Sequence, residues 1–262
     1  MALVYACCNQ KGGVGKTATA QNLSYALAEL GKRVLMVDLD PEYHLTTCSG
    51  LKAHQLKITI YDVIESAIEL TAKPAITDVI VPIVERIDLA PSNELLSGVE
   101  PDLLRASGGE FMVRTSLEPV RAAYDFILLD CPPNLGLITI NALVAADYVI
   151  LPVQADYLPM RAMQSTLKAI SVVQQRAHLN PNLAVAGVLV TMTDHTTISQ
   201  QILEAIREVF KERIRVFETV IRRRTAIRYA QRENISVLQY EPNGDAAQDY
   251  RTLAQEVLKD VK

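Results

Sequence analysis

The segment Gln10–Thr17 constrains the fold more than any other part of the chain, and it reads QKGGVGKT. An apolar run before it predicts a β-strand over Leu3–Cys8, and a helical pattern follows over Lys16–Leu30. A glycine-rich turn between a strand and a helix lets backbone N–H groups surround phosphate oxygens, and the helix N-terminus adds a favourable dipole. We therefore predict a phosphate-binding loop.

Two residues of this loop have side chains suited to a bound nucleotide. The Lys16 ammonium would reach the β- and γ-phosphates of ATP, and the Thr17 hydroxyl would bind Mg²⁺. ATP and Mg²⁺ are therefore the expected cofactors. Backbone groups of the loop are expected to bind the phosphates at Gly12, Gly13, Val14 and Gly15. The loop departs from the ordinary pattern at Gln10, which stands where the first glycine usually lies.

Three aspartates follow predicted strands. Asp38 and Asp40 lie at the end of a strand over Arg33–Leu39, and Asp130 ends the apolar strand Phe126–Asp130. Ligands of open α/β sheets bind at the carboxyl ends of the strands. We therefore expect the three carboxylates to meet the phosphate loop, with Asp130 in the position of a Walker B aspartate.

The order of the predicted elements defines the fold class. The strands FILLD, YVILPV and LAVAGVLVT are continuously apolar, as in a parallel sheet buried on both faces. Strands alternate with helices, which predicts a doubly wound α/β fold, mostly parallel, with helices on both faces of the sheet. Further strands are predicted at Ile76–Ile83 and Arg215–Val220, and a long helix at Leu158–Arg176. Residues 1–262 are expected to form a single domain.

Composition excludes several classes of protein. With 49% hydrophobic and 21% charged residues the chain is not a disordered protein, and its net charge of −4 is not that of a uniformly basic one. The cysteines have no metal-binding spacing: they are Cys7, Cys8, Cys48 and Cys131. Neither a signal peptide nor a membrane span is predicted, so we expect a cytoplasmic protein of a prokaryote-like cell.

Positive charge is concentrated in one segment. Nine basic and three acidic residues lie between Arg207 and Arg232, and the densest part reads IRRRTAIRYAQR. Sequence-independent DNA binding needs a surface that neutralises phosphates and is sensitive to salt. A solvated helix face is the alternative interpretation of this segment.

The chain resembles the ParA/Soj branch of the ParA/MinD group of deviant Walker A ATPases. Matching strings extend over nearly the whole chain, and the most specific are NQKGGVGKTATAQNLSYALAELGKRVLMVDLDP and YDFILLDCPPNLGLITINALVAADYVILPVQADYLPM. The resemblance implies that two subunits enclose two ATP molecules and that Lys11 of each crosses to its partner's nucleotide. A desolvated pair of triphosphates needs such a cation. An isologous twofold interface uses Lys11 once in each site.

The resemblance also implies roles for the remaining site residues. Asp40 matches the residue that orients or activates the attacking water, so Lys11, Lys16 and Asp40 form the expected catalytic set. Thr17, Asp38 and Asp130 match the residues around Mg²⁺. Ala18 replaces a threonine that usually touches the α-phosphate, and the backbone near Met192 is expected beside the nucleotide.

The same resemblance implies a partition function. The ATP-bound homodimer would bind double-stranded DNA nonspecifically on the nucleoid, and a ParB-like partner would stimulate slow hydrolysis and release it. Arg228 matches a DNA-contacting arginine, and Arg222, Arg223 and Arg224 replace part of a VIPRN string. The final helix lacks the basic, aromatic-rich face of a membrane-surface helix, which argues against a membrane partner and the MinD branch.

Alternative functions remain open on sequence alone. A reductase like the nitrogenase iron protein shares the loop, but it needs two cysteines per subunit for a bridging cluster, and no cysteine lies between Cys48 and Cys131. A small-molecule ATP-dependent ligase of the same fold would not explain the arginines. Within the partition hypothesis, the cargo would be a chromosome origin, a plasmid or a protein assembly.

Overall fold

The computed structural model describes residues 1–71, 73–155, 159–194, 196–211 and 213–259. Within them, eight strands form one sheet in the order β3-β4-β2-β5-β1-β6-β7-β8, and every neighbouring pair is parallel except β3 and β4. The strands are β1 (Leu3–Cys7), β2 (Val34–Asp38), β3 (Val81–Val84), β4 (Ile87–Ala90), β5 (Phe126–Asp130), β6 (Tyr148–Gln154), β7 (Ala184–Thr193) and β8 (Ile221–Arg222). The predicted doubly wound, mostly parallel fold is confirmed.

Helices cover both faces of this sheet. In the described ranges they are α1 (Lys16–Glu29), α2 (His44–Cys48), α3 (Ile60–Ile68), α4 (Ile76–Val79), α5 (Glu100–Arg105), α6 (Met112–Leu117), α7 (Leu137–Ala145), α8 (Pro159–Gln175), α9 (Thr197–Phe210), α10 (Thr225–Arg232), α11 (Val237–Tyr240) and α12 (Asp245–Lys259). Successive residues of each strand face opposite sides, so Val4 belongs to the core that α3 to α9 cover and Tyr5 to the core that α1, α11 and α12 cover.

The strand predicted at Ile76–Ile83 is wrong in its first half. Residues Ile76–Val79 form α4, because the Asp78 carboxylate accepts the Ala75 N–H at 2.9 Å and caps the first turn. Only Val81–Val84 is extended, and it pairs antiparallel with β4 at the edge of the sheet. A short apolar run does not distinguish a strand from a helical turn, whereas a carboxylate cap decides it.

The strand predicted at Arg215–Val220 is also displaced. Val216 forms one isolated bridge with Val188, and the paired strand β8 begins only at Ile221. The N–H groups of Glu218 and Thr219 instead donate to the buried Glu256 carboxylate of α12, at 3.2 and 2.9 Å. This side chain therefore takes the backbone donors that a sheet ladder would have used.

Other boundaries agree more closely with the predictions. The strands predicted at Ile87–Ala90 and Phe126–Asp130 are confirmed to the residue. The long helix α8 begins at Pro159, and Leu158, where the prediction began it, lies outside the described residues. The short helices α2 and α11 were not predicted, since each has only one turn of periodic sequence.

Candidate nucleotide-binding site

The centre of the sheet brings the predicted site residues together. Strand β1 lies between β5 and β6, and β5 lies between β1 and β2. The last residues of these strands are in register, since Asp130 pairs with Asp38 on one side and with Cys7 on the other. The loop after β1 therefore starts beside both carboxylates, as expected for the carboxyl edge of a parallel sheet.

The phosphate loop has the backbone shape that an anion requires. Gly13 and Gly15 adopt φ angles of 71° and 90°, a left-handed conformation that strains residues with a side chain. Helix α1 starts at Lys16 with no side-chain cap and no acidic residue in its first turn. Its first N–H groups are therefore available to an anion, with the 6% exposed Lys16 beside them.

Hydrogen bonds from neighbouring strands hold the loop in place. The Asn9 amide donates to the Pro152 carbonyl at 2.8 Å and accepts the Lys11 N–H at 3.0 Å. The Thr191 hydroxyl on β7 donates to the Val14 carbonyl at 2.8 Å. The protein's own hydrogen bonds thus fix both ends of the glycine-rich segment, which lowers the entropic cost of binding a ligand.

Asp38 is fully buried at the end of β2. Its Oδ2 accepts the Thr46 N–H at 2.8 Å and the Thr46 hydroxyl at 2.7 Å, and its Oδ1 accepts the Asp40 N–H at 3.1 Å. Desolvation raises the pKa of Asp38 to about 6, although the hydrogen bonds from Thr46 act in the opposite direction. This carboxylate is therefore oriented by the protein but poorly stabilised in its charged form.

Asp130 is a buried carboxylate with few partners. Among the described residues, neither of its oxygens accepts a hydrogen bond of good geometry. Desolvation and the nearby Asp38 charge raise its pKa well above the usual range, and the neighbouring Thr17 hydroxyl and the Lys16 charge offset only part of this. A cation would satisfy these oxygens, and the oxygen donors of Thr17, Asp38 and Asp130 suit Mg²⁺.

Asp40 lies two residues beyond β2 and is 4% exposed. Its Oδ1 accepts the Glu42 N–H at 3.0 Å. The side chain contributes to the wall of a cavity of about 880 Å³ that begins at the phosphate loop. Asp40 thus belongs to the accessible part of the site, whereas Asp38 and Asp130 lie behind it.

Most of the predicted nucleotide contacts line this cavity. From the predicted set, the cavity is lined by Gly12, Gly13, Gly15, Lys16, Thr17, Ala18, Asp40 and Met192. Val14 is buried, and its carbonyl accepts the hydrogen bond from the Thr191 hydroxyl described above. Lys11 is half-buried and is absent from the described lining of its own chain's cavity.

The opposite end of the cavity is formed by the arginine-rich segment. All four arginines predicted to bind DNA line it, together with Met192 at the end of β7: they are Arg222, Arg223, Arg224 and Arg228. Met192 adopts a φ of 56°, and the adjacent Thr193 carbonyl accepts the Arg223 N–H at 2.8 Å. The sets predicted to bind ATP and DNA therefore share one cavity.

Two of these arginines are held by carboxylates of α12. Arg224 pairs with Asp245 at 2.7 Å and with Asp249 at 3.8 Å, and Arg222 pairs with Asp249 at 3.8 Å. Desolvation raises the pKa of Asp249 even though both arginines counteract it. Among the residues described, no carboxylate lies within ion-pair distance of Arg223 or Arg228, although the Arg223 charge helps to lower the pKa of Asp194; both arginine side chains are exposed.

Several cavity residues were missed by the sequence analysis: Glu42, His44, Cys48, Pro133, Thr191, Ile221, Thr225, Ile227, Gln231, Arg232 and Tyr250. Thr191 gave a usable signal, because it is the polar residue in the otherwise apolar run GVLVTM. Ile221 and Ile227 gave none, since apolar residues near strands are usually assigned to the core.

The fold and this site define a P-loop nucleotide-binding protein, and comparisons with known proteins give its family. A sequence profile described as an AAA domain matches residues 2–185. The sporulation initiation inhibitor protein Soj of Bacillus subtilis is 38% identical over 259 residues, which are 98% of each chain. The chromosome partitioning protein ParA of Caulobacter vibrioides is 36% identical over 97% of this chain and 93% of its own.

The chain therefore belongs to the ParA/Soj family of P-loop ATPases. A crystal structure described as cobyrinic acid a,c-diamide synthase from Mycobacterium smegmatis, with bound ADP and magnesium, superimposes with a TM-score of 0.85. It is 33% identical and covers 99% of this chain and 95% of its own. Each helix in the described ranges is too short or too polar to traverse a bilayer.

Proposed function

We propose that this protein is an ATP-dependent DNA-partitioning ATPase that works as a nucleotide-controlled homodimer. The observation that carries the proposal is the shared cavity, which joins the phosphate loop to the arginine-rich loop at residues 221–228. A ligand that fills this cavity would contact both ends, so nucleotide occupancy and the position of the arginines would be coupled. Membership of the ParA/Soj family supports the same function.

Hydrolysis would rest on positioning and charge. The loop N–H groups and Lys16 bind the β- and γ-phosphates, and Asp40 orients the attacking water from the cavity wall. Thr17, Asp38 and Asp130 hold Mg²⁺, which neutralises charge on the phosphate oxygens when it is bound. Because this mechanism depends on positioning and charge stabilisation alone, we expect slow turnover until a partner completes the site.

Dimerisation would depend on Lys11. This residue opens the phosphate loop, its N–H is fixed by Asn9, and its side chain is absent from the described lining of its own cavity. A lysine in this position is suited to the triphosphate of a second subunit, where a buried anion requires a cation. ATP binding and pairing of subunits are then one event.

DNA binding would use the exposed part of the arginine-rich segment. Arg223 and Arg228 are exposed, and among the described residues neither lies within ion-pair distance of a carboxylate, so they would contact phosphates most directly. Arg222 and Arg224 contribute less while Asp245 and Asp249 hold them. The ATP dimer would thus associate with the nucleoid in the cytoplasm, and a ParB-like activator would release it by stimulating hydrolysis.

Sedimentation velocity with a non-hydrolysable ATP analogue tests the dimer. The wild type is expected to shift from monomer to dimer, whereas Lys11→Ala stays monomeric because the cross-subunit cation is lost. Lys57→Ala is the matched control, since Lys57 is an exposed lysine just before α3. An analogue-induced dimer of Lys11→Ala would refute the role of Lys11.

A second candidate function is supported by one comparison. The solved structure described as cobyrinic acid a,c-diamide synthase favours a small-molecule ATP-dependent ligase. The ATPase rate distinguishes the two functions, because a partition ATPase responds to DNA with a partner and a ligase to its acid substrate. Turnover that rises with cobyrinic acid and an amide donor, and not with DNA plus a ParB-like protein, would replace our proposal.

A further inference from the structure

Three potential metal ligands converge beside the phosphate loop. Only one of them, Asp40, has a role in the function proposed above. They belong to Asp40, Glu42 and His44, and one ligand atom of each lies within 4.8 Å of the other two. All three side chains line the nucleotide cavity. The group therefore faces an accessible space.

The backbone after β2 explains why alternate residues meet. The Tyr43 N–H donates to the Asp40 carbonyl at 2.9 Å and closes a tight turn, and Tyr43 adopts a left-handed φ of 45°. Helix α2 then begins at His44. The turn points residues 40, 42 and 44 towards the cavity.

Asp40 contributes an anchored ligand. It is 4% exposed, and its Oδ1 accepts the Glu42 N–H at 3.0 Å. A carboxylate with so little access to solvent is stabilised by a nearby cation.

The distances suit a small dication with nitrogen and oxygen ligands. His44 Nδ1 lies 3.5 Å from a Glu42 carboxylate oxygen. Ligand atoms about 2.1 Å from a tetrahedral Zn²⁺ are themselves about 3.4 Å apart. Glu42 and His44 are 66% and 61% exposed, so their side chains can adjust to complete the site with Asp40.

We propose that Asp40, Glu42 and His44 form a binding site for a transition-metal dication of the Zn²⁺ class. Two carboxylates and an imidazole suit Zn²⁺ better than Mg²⁺, which prefers oxygen ligands alone. The fourth position faces the cavity and is open to water or a phosphate oxygen. This site is separate from the Mg²⁺ ligands Thr17, Asp38 and Asp130, although an ion in it would engage Asp40.

Calorimetric titration of the nucleotide-free protein with Zn²⁺, at constant millimolar Mg²⁺, tests the site. The wild type is expected to bind one ion per chain. Glu42→Gln and His44→Ala should each weaken binding at least tenfold, because each removes a ligand. Visible absorption of bound Co²⁺ reports the same site independently.

Two matched variants decide whether the effect is specific. His54→Ala removes another exposed histidine and should leave the affinity unchanged. Cys48→Ser removes the half-exposed thiol that also lines the cavity, and it should retain the one-ion stoichiometry. Equal affinity in wild type and His44→Ala, or loss of binding in Cys48→Ser, would overturn this set of ligands.

The titration is independent of the proposed partition function. It uses no ATP, DNA or second protein. A negative titration would therefore refute the metal site and leave the partition function standing, and failure of the partition function would leave the metal site standing. Thermal melting checks that the variants are folded. Glu42 and His44 are exposed side chains, and their replacement should leave the melting temperature within about 2 °C.

Discussion

The two ends of the nucleotide cavity are built differently. At the phosphate end, the backbone loop is held by strand hydrogen bonds, and the carboxylates of Asp38 and Asp130 are fully buried. At the arginine end, the charges lie on a short strand and on α10, and ion pairs to α12 hold two of them. One end is a fixed site, and the other is a charged surface.

This difference determines which solution condition each end responds to. Buried carboxylates with a raised pKa make the phosphate end sensitive to pH. Exposed arginines make the other end sensitive to salt, because ions screen exposed charges and compete at phosphates. Variants at the two ends should therefore separate into two classes with different readouts.

The largest effect is expected from Lys16→Ala. Removing this buried ammonium should weaken binding of a fluorescent ATP analogue about 100-fold, or ~3 kcal/mol, because the phosphates lose their main cation. Arg223→Ala, at the other end of the cavity, should weaken it less than fivefold. A larger loss in Arg223→Ala than in Lys16→Ala would show that the arginine end binds the phosphates.

The next effect concerns DNA binding at the arginine end. Arg228→Glu should weaken retention of a nonspecific duplex about tenfold at low salt and much less at high salt, since it reverses an exposed charge. Arg224→Glu is the matched variant, since it makes the same change of charge, and it should reduce retention less because Asp245 and Asp249 already hold Arg224. Fluorescence anisotropy at two salt concentrations measures both. Equal losses would remove the distinction between held and unpaired arginines.

The sequence predicted the phosphate end far better than the arginine end. The string QKGGVGKT and the three aspartates suffice there, because their positions follow from where parallel strands end. At the arginine end, the sequence showed the density of positive charge, but it did not show which carboxylates pair with the arginines. Asp245 and Asp249 lie over twenty residues further along the chain, and only the packing of α12 brings them to Arg222 and Arg224.

The same limit explains the misplaced strand before β8. The apolar residues of Arg215–Val220 predict a strand, and periodicity alone gives no reason to end it. Its first half still hydrogen-bonds to Val188 of β7, and the segment then leaves the sheet because Glu256, far away in sequence, accepts the next two backbone N–H groups. A tertiary hydrogen bond thus overrides a correct local preference.

A pH titration sharpens the comparison at the phosphate end. The pKa of Asp38 is about 6 in the folded protein, and its ordinary value is 3.8, so the folded state binds the proton more readily. Stability without nucleotide or Mg²⁺ should therefore increase as pH falls from 7.5 to 5.5, by about 1 kcal/mol from Asp38. Asp130 acts in the same direction.

Acids with a lowered pKa do not obscure this window. Asp194, whose pKa is lowered to about 2, stays ionised in both the folded and unfolded states between pH 7.5 and 5.5. Denaturant unfolding at several pH values measures the slope. Saturating Mg²⁺ and ADP should reverse it, since bound Mg²⁺ favours the charged carboxylates. A slope unaffected by Mg²⁺ and ADP would mean that groups other than Asp38 and Asp130 cause the pH dependence.

The smallest effect should come from Asp245→Asn, which releases Arg224 without touching the DNA surface itself. Asp245 is 73% exposed and pairs with Arg224 at 2.7 Å, so the variant should bind DNA two- to threefold more tightly at low salt. Asp102→Asn is the control, because it removes the same charge from an exposed pair with Arg105 on α5. An equal gain in Asp102→Asn would mean that net charge alone raises DNA affinity. A gain confined to Asp245→Asn, with unchanged ATP affinity, would mean that α12 restrains the arginine end while the phosphate end stays fixed.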